Sequence, residues 1–225
     1  MENKKVTSES TVINNTQEKD FRKAKQTLGE EIGNSITHGV GCIMGIVMTI
    51  LMLLKCQTSI EYVSISIFGF AMFFLYLNSC LYHAWKNGST VKKVYKRFDH
   101  LSIYVLIAGT YTPILLITIG GITGWIFFAV QWFLVILGII AKSIYPNKFQ
   151  IVHLILFALI GWSGAVFVIQ LPLTLMLLIL AGGIAYTVGI LFYSVFMFKW
   201  HHFIWHFFVL AGTILHVIAI FLFVL

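Results

Sequence analysis

Apolar and polar residues follow one another along the chain in long blocks. Seven stretches are long and apolar enough to cross a membrane as helices, since a span needs about 20 mostly apolar residues. Short polar or helix-breaking segments separate these stretches. The pattern therefore predicts an all-α, polytopic membrane protein built as a seven-helix transmembrane bundle. We expect its spans at approximately 36–54, 63–84, 101–119, 125–141, 151–169, 173–198 and 203–225.

Composition supports this interpretation. Apolar residues make up 59% of the 225 positions and charged residues 10%, with a mean hydropathy of +0.92. Soluble domains average about 45–50% apolar and about 25% charged residues, so a water-soluble globule and a disordered chain are both excluded. We expect residues 1–34 to form a polar cytoplasmic tail and residues 35–225 to form a single transmembrane domain. The three cysteines have no CxxC spacing and indicate no disulfide framework.

The basic residues predict the orientation of the chain. Every Lys and Arg except Lys55 falls in the N-terminal tail or in the second, fourth or sixth connection between spans. With seven spans these four segments lie on one side, and the positive-inside rule places that side in the cytoplasm. The C-terminus is then outside. Cations in this arrangement set the orientation and do not indicate a nucleic-acid partner. The expected location is the plasma membrane, with membrane lipids as partners.

Three histidines have a spacing suited to a metal ion. His202 and His206 are four residues apart at the start of the seventh span and so lie on one face of a helix. His83 ends the second span at the same predicted side of the membrane. Two histidines at this spacing with a third from another helix are typical of a Zn²⁺ site that keeps one position open. A pair spaced as HxxxH also occurs in helices without any metal, and that alternative stays open.

Two further polar residues belong to the same predicted side. Asp99 is the one carboxylate after Glu61, and ionisable groups at membrane depth usually mark a site. It is either a catalytic group or merely a helix N-cap or counter-ion of Arg97. Ser79 precedes His83 by one helical turn, so its hydroxyl either bonds a reacting oxygen or bonds back to its own helix.

The remaining candidates carry less weight. Cys80 is a possible soft ligand, but it points about 100° away from Ser79 and is expected in the core. No role follows from the sequence for the polar group at the start of the first span or for the isolated histidine of the seventh. These residues are Glu31, Asn34, His38 and His216.

The ordered set of motifs resembles a known family. It consists of Glu31-x-x-Asn34-x-x-Thr37-His38, Ser79-x-x-x-His83, Asp99 and His202-x-x-x-His206, on spans one, two, three and seven. This set is similar to that of the bacterial hemolysin III proteins, within the progestin and adipoQ receptor superfamily that includes the adiponectin receptors. The resemblance covers roughly residues 29–225.

The resemblance implies a seven-helix bundle with a cytoplasmic N-terminus. It implies Zn²⁺ held by His83, His202 and His206, with Asp99 approaching the metal through water and Ser79 nearby. The related alkaline ceramidases use a similar set of Ser, Asp and three His for amide hydrolysis.

Three functions are consistent with these features. The first is a zinc-dependent hydrolase of lipid amide or ester bonds that affects membrane lipid homeostasis, with Asp99 as general base and a lipid or fatty-acyl substrate. The second is a pore-forming cytolysin, as the family name implies, although spans four to six hold few polar residues to line a pore. The third is a non-enzymatic regulator of membrane fluidity.

Overall fold

The described chain is a bundle of helices. A computed structural model describes residues 26–145, 150–168, 171–194 and 198–225. The helices are α1 (Leu28–Lys55), α2 (Ser59–Ala84), α3 (Thr90–Pro113, continued as a π-helix over Ile114–Ile119), α4 (Gly121–Ile144), α5 (Gln150–Trp162, followed by a helical turn at Ala165–Val168), α6 (Leu173–Ser194) and α7 (His201–Phe223).

These helices confirm an all-α polytopic membrane protein. Six of them, all except α5, are long and apolar enough to cross a membrane. Each of the seven predicted apolar stretches overlaps one of these helices. Gly120 and Gly121 form the predicted break between the third and fourth stretches, where φ values of 63° and 56° suit glycine.

The first helix begins at Leu28 and not at Ile36. The expected boundary between the polar tail (residues 1–34) and the transmembrane domain (residues 35–225) therefore falls inside α1. Thr27 and Glu30 form a reciprocal capping box that starts the helix at this point. The following turns are polar on the face that packs against other helices. Glu31, Asn34 and His38 are buried, whereas the apolar residues between them are exposed at positions that suit lipid.

The fifth predicted stretch was wrong in length. Helix α5 has 13 residues, about 20 Å at 1.5 Å per residue, and gives way to a turn at Ser163 and Gly164. Side chains from two other helices bond the peptide groups of this break. Tyr111 donates to the Gly161 carbonyl and accepts from the Gly164 amide, while Gln131 donates to the Ile160 carbonyl at 3.2 Å. A helix interruption at membrane depth is tolerated where protein groups satisfy the backbone in this way.

The core that positions the site lies where α1, α2, α3 and α7 meet. Tyr76 of α2 is fully buried there, and its hydroxyl bonds the Thr213 hydroxyl of α7 at 2.7 Å. Helix α1 approaches the Tyr76 ring closely at Gly41, where an added Cβ would lie 2.5 Å from the ring. Small residues at such contacts let membrane helices pack tightly. This packing holds the ends of α2 and α7 side by side.

Candidate metal centre

Three histidines from two helices converge at one end of the bundle. His83 comes from the last turn of α2, and His202 and His206 come from the first turns of α7. One nitrogen from each lies within 4.8 Å of the others, so the group can hold a metal ion. His83 and His206 are buried and His202 is half-buried. The four-residue spacing on α7 thus aims both imidazoles at the third ring, as the sequence predicts.

Glu31 of α1 orients the ring of His83. The His83 Nδ1 lies 2.7 Å from Glu31 Oε2, and the Lys92 ammonium of α3 lies 2.9 Å from the same oxygen. A carboxylate paired with an ammonium is ionised and accepts hydrogen bonds, so His83 donates from Nδ1. The other nitrogen, Nε2, is buried and has no hydrogen-bond partner among the described residues. A buried nitrogen left free by a carboxylate–histidine contact suits a metal ligand.

The ring of His206 is held by the backbone of α1. Its Nδ1 lies 3.2 Å from the Asn34 carbonyl oxygen and 3.2 Å from the Thr37 hydroxyl. Because a carbonyl only accepts, Nδ1 donates to it and Nε2 remains available to an ion. The His38 ring stacks on His206 with centroids 3.6 Å apart and fixes the ring plane. Helix α1 therefore orients two of the three candidate ligands.

Asp99 and Ser79 lie beside the histidines. Helix α3 begins at Thr90 with Ser89 as its cap, so Asp99 is inside the helix and the N-cap alternative is wrong. The two ion pairs found among the described residues both belong to Glu31, so Arg97 is not the salt-bridge partner of Asp99. The Asp99 carboxylate instead interacts with the Ser79 hydroxyl, and His83 is among its neighbours. No hydrogen bond from Ser79 to a helix carbonyl occurs in the described part of the chain, which removes the alternative of back-bonding.

A largely apolar cavity extends from this cluster along the bundle. Ser79, Asp99, His202 and His206 line one end of it. The other end reaches Ile114, so the cavity follows α3 for about 22 Å at 1.5 Å per residue. Between the two ends the walls come from α3, α5, α6 and α7. Among their side chains are Leu106, Ile107, Phe157, Leu180, Ile190 and Val209.

Other candidates lie apart from the three histidines. His216 bonds the Ile179 carbonyl at 3.1 Å at the far part of the cavity, and His153 bonds the Tyr104 hydroxyl at 2.8 Å. Cys80 lies 3.4 Å from the Ser35 hydroxyl and is not in the metal-binding group. The sequence did not identify Lys92 as part of the site. In the sequence, Lys92 counts only as one of the cations that predict the orientation, and nothing there distinguishes it from the exposed Lys93.

Comparisons with known proteins find similarity over most of the chain. A family model described as "Haemolysin-III related" matches residues 26–217. "Hemolysin-3" of Bacillus cereus is 39% identical over 89% of this chain and 94% of its own length. "Hemolysin-3 homolog" of Bacillus subtilis (strain 168) is 38% identical over 83% of this chain and 91% of its own length. "Monocyte to macrophage differentiation factor" of Homo sapiens is 29% identical over 87% of this chain and 85% of its own length.

Proposed function

The chain belongs to the haemolysin-III related family, and on that premise we propose that it is a Zn²⁺-dependent hydrolase of lipid amide or ester bonds in the plasma membrane. The observation that carries the proposal is the position of the histidine group, which lies with Asp99 and Ser79 at one end of an apolar cavity. A site of this kind brings polar chemistry to a lipid without removing its chain from an apolar environment.

The donor set fits zinc. Three imidazoles with a free position are the ligand set of several catalytic zinc sites, and Glu31 and the Asn34 carbonyl supply the outer partners such ligands need. When bound, Zn²⁺ acts as a Lewis acid that polarises a carbonyl and makes water acidic near neutral pH. His83, His202 and His206 would hold the ion.

The residues of the chain supply the proton transfers. Asp99 accepts a proton from the water that attacks the substrate carbonyl, and a bond forms between the water oxygen and the carbonyl carbon. The C–N or C–O bond then breaks, and the proton passes from Asp99 to the leaving amine or alkoxide. Ser79 holds the Asp99 carboxylate in place from the facing helix. The products are a fatty acid and an amine or alcohol, so the reaction would alter membrane lipid composition.

The apolar cavity suggests which part of the substrate is bound. Its walls are aliphatic and aromatic over most of their length, which suits an acyl chain. The reacting carbonyl would lie at the end of that chain, beside Asp99 and His202. The substrate class is therefore a membrane lipid with an acyl chain linked through an amide or ester.

Turnover by the purified protein tests the proposal. We expect protein in lipid nanodiscs to release fatty acid from a ceramide-like or phospholipid substrate, to lose this activity with a zinc chelator, and to regain it when zinc is restored. Glu61→Gln, at the cap of α2 and not among the residues that line the cavity, serves as the control variant and should keep the activity. Lack of zinc-dependent release from either substrate class would contradict the proposal and favour a regulator of membrane fluidity.

The cytolysin alternative rests on the names of two relatives, "Hemolysin-3" and "Hemolysin-3 homolog". Dye-loaded liposomes separate it from hydrolysis. The liposomes are made of lipids that resist hydrolysis. If the protein is a hydrolase, these liposomes should lose dye no faster with the protein than without it, whereas a pore would release the dye.

A further inference from the structure

Glu30 joins the start of α1 to the start of α7. Its Oε2 accepts hydrogen bonds from the Thr27 amide at 2.8 Å and from the Thr27 hydroxyl at 2.7 Å, which belong to the capping box of α1. Its Oε1 accepts a hydrogen bond of 2.8 Å from the Trp200 amide, 170 positions further along the chain. The cap of α1 does not need this second bond, and the proposed hydrolysis does not use it.

Trp200 is the residue from which α7 starts. Its carbonyl accepts the hydrogen bond that opens the helix, from the Ile204 amide at 3.1 Å. Its φ of 74° and ψ of 6° lie in the left-handed region, which costs a residue other than glycine about 1–3 kcal/mol. Such a conformation persists only where neighbouring contacts hold it. The bond to Glu30 is one of these contacts.

Aromatic rings add an apolar contact between the same two helices. The Trp200 ring lies over Gly29 and Gly33 of α1, where added Cβ atoms would come within 3.5 Å and 3.2 Å of it. The Phe203 ring, from the first turn of α7, would lie 3.0 Å from the Cβ added at Gly33. Small residues at this four-residue spacing let membrane helices approach closely. One hydrogen bond and two rings thus hold the start of α7 against α1.

The direction of His202 depends on this arrangement. A histidine that binds a metal is usually oriented by an outer hydrogen-bond partner. Glu31 has this role for His83, and the backbone of α1 has it for His206. The contacts described for His202 are between rings, with centroids 5.2 Å from His83 and 5.7 Å from Tyr193. Ring contacts fix a direction less strictly than a hydrogen bond, so the backbone at the first turn of α7 matters more for this ligand.

We propose that Glu30 is a positioning residue for the metal centre. By holding the Trp200 amide, it fixes the position and rotation of the first turn of α7 and so directs His202 toward His83. Adjacent carboxylates of α1 then serve both helices that carry ligands, since Glu31 orients a ligand of α2 and Glu30 aligns a ligand of α7. The inference rests on the metal site proposed above, whereas the contact itself does not depend on an ion.

Cobalt binding tests the proposal, because Co²⁺ replaces Zn²⁺ and its visible bands depend on the coordination geometry. Wild-type protein, Glu30→Ala and Thr27→Ala are titrated with Co²⁺ in nanodiscs. Thr27→Ala is the matched control, since it breaks the same capping box but leaves the bond between Glu30 and Trp200. Glu30→Ala should bind Co²⁺ about 10–100-fold more weakly, the usual loss for an outer partner, and its bands should weaken as water replaces an imidazole. Thr27→Ala should keep the wild-type affinity and spectrum.

Two further variants separate positioning from a loss of helix stability. Glu30→Gln keeps a carbonyl oxygen that can accept from the Trp200 amide, so it should restore most of the affinity that Glu30→Ala loses. Glu61→Ala breaks the equivalent capping box of α2 and should bind Co²⁺ as the wild type does. Equal affinities in Glu30→Ala and Thr27→Ala, whether reduced or not, would overturn the proposal.

Hydrogen exchange supplies a measurement without metal. The amides of residues 198–206 should exchange faster in Glu30→Ala than in the wild type or in Thr27→Ala, because the Trp200 amide loses its acceptor. Unchanged exchange would overturn the contact on which the proposal depends. A wild type that binds no Co²⁺ would contradict the metal site itself. A wild type that binds Co²⁺ only as tightly as Glu30→Ala does would contradict the role of Glu30 alone.

Discussion

Lys92 and His83 contact the same oxygen atom of the Glu31 carboxylate, at 2.9 Å and 2.7 Å respectively. Helices α1, α2 and α3 are thereby joined at one buried point. The ammonium keeps the carboxylate ionised, and the ionised carboxylate keeps the proton of His83 on Nδ1. A lysine that binds no metal therefore determines which nitrogen of His83 can.

Replacement of Glu31 should weaken the metal site without removing a ligand. We expect Glu31→Gln to bind zinc about 10–100-fold more weakly, the usual effect of losing an outer partner of a ligand histidine. Competition with a chromophoric chelator measures this affinity. Glu61→Gln is the matched control, because Glu61 caps α2 at the opposite end of the bundle. If both variants bind zinc as tightly as the wild type, Glu31 does not orient the ligand.

His202 and His216 of α7 should differ sharply in their effect on metal content. His202→Ala removes one of three imidazoles and should lose most of the zinc, whereas His216→Ala should retain about one zinc per chain. His216 is buried on the same helix, so it controls for damage to the fold. Metal analysis of the purified variants decides the question. Equal zinc in both would mean that the predicted ligand set is wrong.

Asp99→Asn should separate metal binding from hydrolysis. An amide cannot accept the proton, so the rate of lipid hydrolysis should fall by about 10²–10⁴-fold. Zinc should stay bound, because the three histidines are intact. Ser79→Ala should lower the rate less, since it only positions the carboxylate. Unchanged turnover in Asp99→Asn with zinc present would exclude Asp99 as the general base.

The orientation of the chain can be tested with single cysteines. The distribution of cations predicts position 93 in the cytoplasm and position 55 outside. Lys93 is a better site than Lys92 because it is exposed, whereas Lys92 is buried. In a background without Cys42, Cys56 and Cys80, an impermeant maleimide should label Lys55→Cys in intact cells and label Lys93→Cys only after lysis. The reverse pattern would invert the predicted topology.

The hydrogen bonds at the break in α5 should contribute measurably to stability. Tyr111→Phe removes the hydroxyl that serves both the Gly161 carbonyl and the Gly164 amide. We expect a loss of about 1–3 kcal/mol in the free energy of unfolding, because two partly buried peptide groups lose a partner. Unfolding in mixed micelles measures the loss. Tyr62→Phe, at an exposed position, should change little.

Six of the seven spans could be predicted from the sequence, because a long apolar stretch indicates a helix that crosses the membrane. The fifth stretch is equally apolar, so its break at Ser163 and Gly164 could not be predicted in this way. The ligand pair of α7 could be predicted because the α-helix converts a four-residue spacing into one face. The start of α1 could not be predicted. Polar residues such as Glu31, Asn34 and His38 are typical of a solvated tail, and only the structure shows that the helical face that carries them is buried. Burial also separates Lys92 and Lys142 from the other cations. Burial depends on contacts between helices that are far apart in the sequence, so it cannot be predicted from local composition.

The break in α5 has a consequence for the order in which the chain enters the membrane. A helix of 13 residues that ends in an open turn would present unbonded peptide groups to lipid, at several kcal/mol for each group. Tyr111 and Gln131, which bond those groups, both precede α5 in the chain. Synthesis from the N-terminus therefore delivers α3 and α4 first, and α5 can leave the insertion machinery only by docking against them.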